Sequence, residues 1–414
     1  MGRSLCVSLE MIGLDEAIEK AVSYAKIGRL TVVEKSIYDA CGLIVAEDYY
    51  ASIDNPPCDK SYVDGFAIIA EDTYGASPFN PVMLKIIGWM KPNDDSSKFI
   101  LSRGEAVWVS TGSALPRNSN AVVMYEDVSL YNDYIAVTKP INIWSNVAKR
   151  GEDYRCGEVL VKKGSMLKPW DLALLASSGY GYVKVYEKIR IGILCTGSEL
   201  VEPGRNLDKG MYYNSTCVLI KNYLDQIPFV ETMYYGIAPD DEKILMDKIT
   251  AIIGENHMAI VSGGAGYSEV DVTKRVLENM GKWVFKNIAI RPGKPTGLAL
   301  VNGKPVYSLS GFPVAAWVAL EALISPYLYI VMGLKPPVKP SVKAIMKRKV
   351  PNTVGYRSFV RVKLFEENGK LLCEPYLIKG SGILSSLVKS DGYVIVSENS
   401  EGVDEGEEVN VILK

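Results

Sequence analysis

The chain has 414 residues, 48% of them apolar and 23% charged, with a formal net charge of −2. That length predicts two to four domains, and the near-neutral balance excludes nonspecific nucleic-acid binding, which needs a basic surface. The seven scattered cysteines (Cys6, Cys41, Cys58, Cys156, Cys195, Cys217 and Cys373) contain no Cys-x-x-Cys pair. They predict reduced thiols in a cytoplasmic setting rather than a disulfide framework or a zinc site. His257 is the single histidine, which excludes multi-histidine metal sites and any triad built on another histidine. It precedes a strand, where a capping or surface role is expected. Chemistry must therefore run on carboxylates, Lys and Arg, backbone amides and any metal they recruit.

The N-terminal segment has no long apolar core, so no secretory signal is expected there. Residues 9–47 read as helix-rich, with Leu14, Ala17, Ile18, Ala21, Val22 and Ala25 on one face. Residues 49–146 are rich in Gly, Pro, Ser and β-branched types, and short alternating runs at 82–87 and 106–109 predict a β-rich domain. Residues 147–185 return to turns and a helix over 169–178. The expected organisation is a discontinuous N-terminal domain (1–47 with 147–185) interrupted by the β-rich domain (48–146), then an α/β domain (186–333) and a C-terminal β domain (334–414).

From residue 188 strands and helices alternate: strand 189–195, helix 215–226, strand 229–237, helix 240–253, strand 258–261, helix 272–280, strand 305–309 and helix 314–330. This pattern predicts a mostly parallel sheet covered on both faces. The last helix is apolar enough to suggest a membrane span, but Glu321 and Pro326 inside it favour a buried core helix. Pro336, Pro337 and Pro340 mark a linker. The remaining residues carry alternating strands, such as 358–365 and 393–397, and predict a small β-barrel or sandwich.

Open α/β sheets bind ligands where the loops following their strands gather. Four such loops carry chemistry. Ser262, Gly263, Gly264 and Gly266 form a glycine-rich turn that runs to Asp271 and a helix. Glycines let the backbone approach a ligand closely, and the helix start suits a phosphate or another oxyanion. The loop is not a Walker loop, because no Gly-Lys-Ser/Thr follows, and Glu269 occupies the third glycine position of the dinucleotide fingerprint. Asp271 is either a helix N-cap in an ordinary turn or a carboxylate bridged to the ligand by a metal ion. The other loops are Thr196-Gly197-Ser198-Glu199-Leu200, Arg291-Pro292-Gly293-Lys294-Pro295 after Lys286, and Ser310-Gly311-Phe312-Pro313. Together they offer Glu199 and Asp271 as carboxylates and Lys286, Arg291 and Lys294 as cations, the combination a phosphate-plus-divalent-metal site requires.

With those residues in hand, the whole chain resembles the molybdopterin molybdenumtransferase family, related to the C-terminal domain of gephyrin. Pro56-Pro57-Cys58-Asp59-Lys60-Ser61-Tyr62-Val63-Asp64-Gly65-Phe66-Ala67 resembles the family's Pro-x-x-x-x-Ser-x-x-Asp-Gly-Tyr/Phe-Ala signature. Thr111-Gly112 with Pro116, Arg150-Gly151-Glu152-Asp153, Thr196-Gly197-Ser198-Glu199-Leu200, Ser262-Gly263-Gly264 with Asp271, and Pro292-Gly293-Lys294-Pro295 follow in the family's order. Several positions depart from the family pattern. Gly263-Gly264-Ala265-Gly266-Tyr267-Ser268 exchanges a serine and a glycine, Leu309-Ser310-Gly311-Phe312-Pro313 lacks an asparagine, Arg291 replaces a common lysine, and Asn118-Ser119-Asn120 replaces Gly-Ala-Asp.

The resemblance implies a molybdopterin-binding α/β domain with β-rich companions. It also implies a reaction of adenylylated molybdopterin with molybdate that releases AMP with the help of Mg²⁺. Catalytic roles are implied for Asp64, Thr111, Asp153, Glu199 and Asp271, with Glu199 and Asp271 handling metal or water. Substrate binding is implied for Ser262, Gly263, Gly264, Lys286, Arg291, Lys294, Ser310 and Pro313. A homodimer with its site between subunits, in the cytoplasm, is expected, with no nucleic-acid or membrane partner. The altered loops leave a tungstate-preferring paralogue open. A molybdopterin adenylyltransferase would need only the sheet domain, and a gephyrin-like scaffold would have no use for clustered opposite charges in a cleft.

Overall fold

The computed structural model describes residues 11–264, 272–376 and 380–414. The chain divides into two units, one made of Glu34–Cys41 and Val45–Lys184, the other holding the rest of the described residues. The helix-rich expectation for 9–47 holds only for Leu14–Tyr24. After that helix the chain runs through coil and the β-branched strand Val32–Ser36.

Residues on successive strand positions face opposite sides of a sheet, and the first unit uses both sides. Its six strands lie in the order Ala121–Met124, Gly65–Ile68, Glu105–Val109, Val82–Met90, Tyr134–Val137, Val128–Tyr131. Phe66, Ile68 and Ala106 pack into one core, while Ala67, Val107 and Val109 pack into another. Gly65 is required because a Cβ there would lie 2.1 Å from the Val123 carbonyl oxygen.

The second unit contains the α/β sheet, in the order Val230–Ala238, Ile189–Thr196, Met258–Ser262, Lys304–Leu309, Gly297–Val301, Gly281–Phe285. The first four strands are mutually parallel. The last two form an antiparallel edge that the sequence pattern did not separate. Helices Glu242–Glu255 and Val272–Met280 bury Leu245, Ile249, Val276 and Leu277 against one face. Helix Thr216–Leu224 and the run Pro313–Val331 pack against the other. That run is long and apolar enough to cross a membrane, yet 72% of its apolar window is buried inside the protein. It widens to a π turn at Leu320–Ile324. Pro326 follows, and its missing N–H and bulky ring rule out a regular α turn there.

The C-terminal strands Ser341–Met346, Arg357–Glu367, Lys370–Pro375, Gly392–Val396 and Glu408–Leu413 form a barrel rather than a sandwich. Pairing of Arg357–Glu367 with Gly392–Val396 closes it. Glu321 ties the apolar run to this barrel. Its buried carboxylate accepts hydrogen bonds from Tyr223 (2.6 Å), Tyr393 (2.5 Å) and Lys339. Burial, then the neighbouring Glu321 charge, raises the Tyr223 phenol above its ordinary range, so it remains a donor.

One expectation is narrowed and one corrected here. Of the capping and surface roles open to His257 the structure shows the first, since the residue is buried and its Nδ1 accepts the Arg190 N–H at 2.9 Å. Burial, then the Arg190 charge, lowers its pKa and keeps the ring neutral for that role. The thiols are not all reduced, because Cys195 and Cys217 form a disulfide with Cα atoms 6.2 Å apart. A strand end and a helix's first turn bring them within bridging range, which sequence spacing does not reveal. Among the described residues Cys41, Cys58, Cys156 and Cys373 are free, and Cys6 lies outside them.

Candidate active site

The parallel strands Ile189–Thr196, Met258–Ser262 and Lys304–Leu309 end at a common edge. There a cavity of about 1070 Å³ opens. Glu199, Ser262, Gly263, Gly264, Arg291, Lys294, Ser310 and Pro313 all line it. The four loops singled out in the sequence thus converge on one cleft.

Glycine shapes its floor. Gly263 adopts φ +110°, and a Cβ there would sit 2.0 Å from the Thr196 carbonyl oxygen. The Gly263 N–H donates to the Leu309 carbonyl (3.1 Å), and the Ser262 hydroxyl donates to the Ser310 carbonyl (3.2 Å). Two neighbouring loops are thereby fixed on one another. Helices beginning at Thr216 and Pro313 also start at the lining, where their N-terminal amides favour negative charge. Asn214 orders the first of them, since its Oδ1 accepts the Cys217 N–H at 3.1 Å. Its amide orientation is set from behind by Tyr234, whose phenol accepts from Asn214 Nδ2 and donates to Glu202, each at 2.7 Å. Burial, then Glu202, raises the Tyr234 pKa and keeps that proton in place.

Sequence reasoning missed Asp240. Like Glu199 it lines the cleft, accepting the Thr196 hydroxyl at 3.0 Å and the Ser198 N–H at 3.1 Å. The signal was present in Pro239-Asp240-Asp241. Asp241 alone caps helix Glu242–Glu255 by accepting the Ile244 N–H at 2.9 Å, so the preceding carboxylate is spare. Tyr356, from the barrel, also reached the lining without being anticipated.

Lys286 is not brought to the cleft lining. It pairs with Glu278 at 2.8 Å, with its ammonium near the Trp283 ring. Asp271 lies outside the described residues. Asp64 and Thr111 belong to the other unit and meet there, with Asp64 accepting both the Thr111 N–H (2.6 Å) and its hydroxyl (3.0 Å). Asp153, in the same unit, accepts the Asn55 amide at 2.8 Å.

Among the described residues no three His, Cys, Asp or Glu side chains gather into a metal cage. Mg²⁺ needs none, because it binds through one or two carboxylates plus substrate phosphates and water. Glu199 and Asp240, two carboxylates that both line the cleft, fit that donor set.

Fold and cleft define a multidomain α/β protein with a large cleft, lined by charged side chains and helix starts, at the carboxyl ends of its parallel strands. Its relatives narrow that class. Residues 12–179 match the MoeA N-terminal region (domain I and II), 192–329 the "Probable molybdopterin binding domain", and 343–414 the MoeA C-terminal region (domain IV). A molybdopterin molybdenumtransferase of Haemophilus influenzae is 30% identical over 97% of this chain and 98% of its own. A Methanocaldococcus jannaschii protein named for molybdopterin biosynthesis is 37% identical over 92% of each chain. A crystal structure of a molybdopterin biosynthesis protein from Pyrococcus horikoshii aligns with TM-score 0.82 at 37% identity, covering 98% of this chain and 99% of that one. The chain belongs to the MoeA, or molybdopterin molybdenumtransferase, family.

Proposed function

We propose that this enzyme of molybdenum cofactor biosynthesis inserts molybdate at the dithiolene sulfurs of adenylylated molybdopterin, with hydrolysis of the phosphoanhydride and release of AMP. The observation that carries this reading is the convergence of Arg291 and Lys294 with Glu199 and Asp240 on one cleft. Two anionic reactants repel, so clustered cations are needed to hold them together. A guanidinium grips an oxyanion in a fork, and an ammonium acts as a point charge. Glu199 and Asp240 would hold Mg²⁺, which when bound polarises the anhydride. The protein's own share is positioning. The Gly263 turn brings backbone to the ligand, and the loop bearing Thr196, Ser198 and Glu199 is braced by Asp240.

The test is AMP release from adenylylated molybdopterin on addition of molybdate and Mg²⁺. Release that requires both supports the proposal. ATP consumption instead would mark an adenylyltransferase, and no turnover a scaffold. Measuring release with tungstate in place of molybdate decides the oxyanion. We propose further that the enzyme acts in the cytoplasm as a homodimer, each cleft completed by the β-rich unit of a second copy.

A further inference from the structure

Two cations that must meet one oxyanion repel each other before it arrives, so something has to hold them. Arg291 sits with its guanidinium carbon 4.9 Å from the Tyr356 ring centroid, and the Lys294 ammonium lies 5.8 Å from the same centroid. Both distances fall within the range in which an aromatic face attracts a cation. Arg291 also donates from Nη1 to the Thr353 hydroxyl at 2.9 Å. Tyr356 lines the cleft, yet it belongs to the C-terminal barrel rather than to the sheet.

The ring is itself fixed through its backbone. The Tyr356 carbonyl accepts the Asn352 amide at 2.9 Å, and Asn352 Oδ1 in turn accepts the Ser358 hydroxyl at 2.7 Å. The next residue's N–H donates to the Ala289 carbonyl at 2.9 Å. The short strand Ile290–Arg291 pairs in parallel with Arg357 and Ser358. Backbone pairing and ring contact therefore act on the same arginine.

We infer that Tyr356 is a positioning residue for oxyanion capture, its ring holding both the Arg291 guanidinium and the Lys294 ammonium at the cleft lining. The inference rests on the reading that these two cations bind molybdate. It predicts a role for the ring face and none for the phenolic hydroxyl.

The experiment compares Tyr356→Leu, Tyr356→Phe and Arg291→Ala in the full-length protein. It follows AMP release against molybdate concentration, and molybdate binding by calorimetry. Tyr356→Leu is expected to raise the molybdate KM and the calorimetric Kd about 3- to 30-fold, the range a cation–ring contact spans. The loss should be concentrated in KM rather than kcat, and Tyr356→Phe should restore it. If Tyr356→Leu binds molybdate normally while Arg291→Ala does not, the role of Tyr356 is overturned and the oxyanion site stands. If Tyr356→Phe is as impaired as Tyr356→Leu, the hydroxyl matters and the ring-face argument is wrong. If Arg291→Ala binds molybdate normally, the oxyanion reading falls, and this inference with it.

Discussion

At the scale of single residues, the floor of the cleft depends on a backbone conformation and a spare carboxylate. Gly263→Ala introduces a methyl 2.0 Å from the Thr196 carbonyl oxygen at φ +110°. That backbone strain alone costs about 1–3 kcal/mol, and the loop must move to accept the methyl. AMP release should drop at least about tenfold, with a lower melting temperature. A variant with wild-type turnover would mean the turn does not shape the site. Asp240→Asn keeps the size but cannot accept from both Thr196 and Ser198 with the same charge. Turnover should fall about tenfold, equivalent to ~1.4 kcal/mol in the barrier, with a raised Mg²⁺ requirement. An unaltered Mg²⁺ titration would remove Asp240 from metal handling.

At the scale of elements, helix Leu14–Tyr24 is joined to the barrel through Arg357, which forks onto Asp15 with two 2.8 Å hydrogen bonds and also pairs with Glu398 at 2.7 Å. Hydrogen bonding from Arg357 is the leading cause that pushes the Glu398 carboxyl from 4.5 down to about 2, and it lowers Asp15 as well. A carboxylate depressed in the folded state adds stability above its unfolded pKa and loses it as pH falls through the folded value. That contribution is therefore complete above pH 4.5 and fades toward about pH 2. Arg357→Leu should move the acid-unfolding midpoint upward in a circular dichroism titration. An unchanged acid limb would show that the fork contributes nothing.

The legibility of the sequence also divides by element. The parallel strands were legible where a buried apolar run is followed by a helix-periodic segment, as with Met258–Ser262 and Val272–Met280. The antiparallel strand Gly281–Phe285 was not, because its partner lies beyond an intervening loop, whereas Gly297–Val301 carried a local mark that went unused, the Asn302-Gly303 hairpin turn joining it to Lys304–Leu309. The glycine and Arg-Pro-Gly-Lys loops announced the cleft, since unusual backbone and clustered charge leave local marks. Lys286 misled because its charge resembles those of Arg291 and Lys294, while its position on the edge hairpin directs it to Glu278. Tyr356 and the Cys195–Cys217 pair leave no local mark; only tertiary packing brings them to the site.

At the scale of the whole molecule, Glu321 links the sheet's apolar helix, helix Thr216–Leu224 through Tyr223, the linker through Lys339 and the barrel through Tyr393. Removing a buried acceptor strands all its donors. Glu321→Ala should cost about 3–5 kcal/mol and split calorimetric melting into separate sheet and barrel transitions. A single transition at the native temperature would argue against the tie. The proposed homodimer is tested by mixing two inactive variants, Asp64→Ala and Arg291→Ala. If each cleft draws on two chains, mixed dimers contain one intact site and should recover up to about a quarter to a half of wild-type activity. No recovery on subunit exchange would place both residues' effects within a single chain.

The disulfide between Cys195 and Cys217 joins the end of a parallel strand to the opening turn of helix Thr216–Leu224, and residues beside both cysteines line the cleft. That crosslink sets the spacing between the strand end and the helix start, so reactants meet this part of the lining at a fixed separation. Tyr212, Phe312 and Tyr356, which also line the cleft, carry no such covalent restraint.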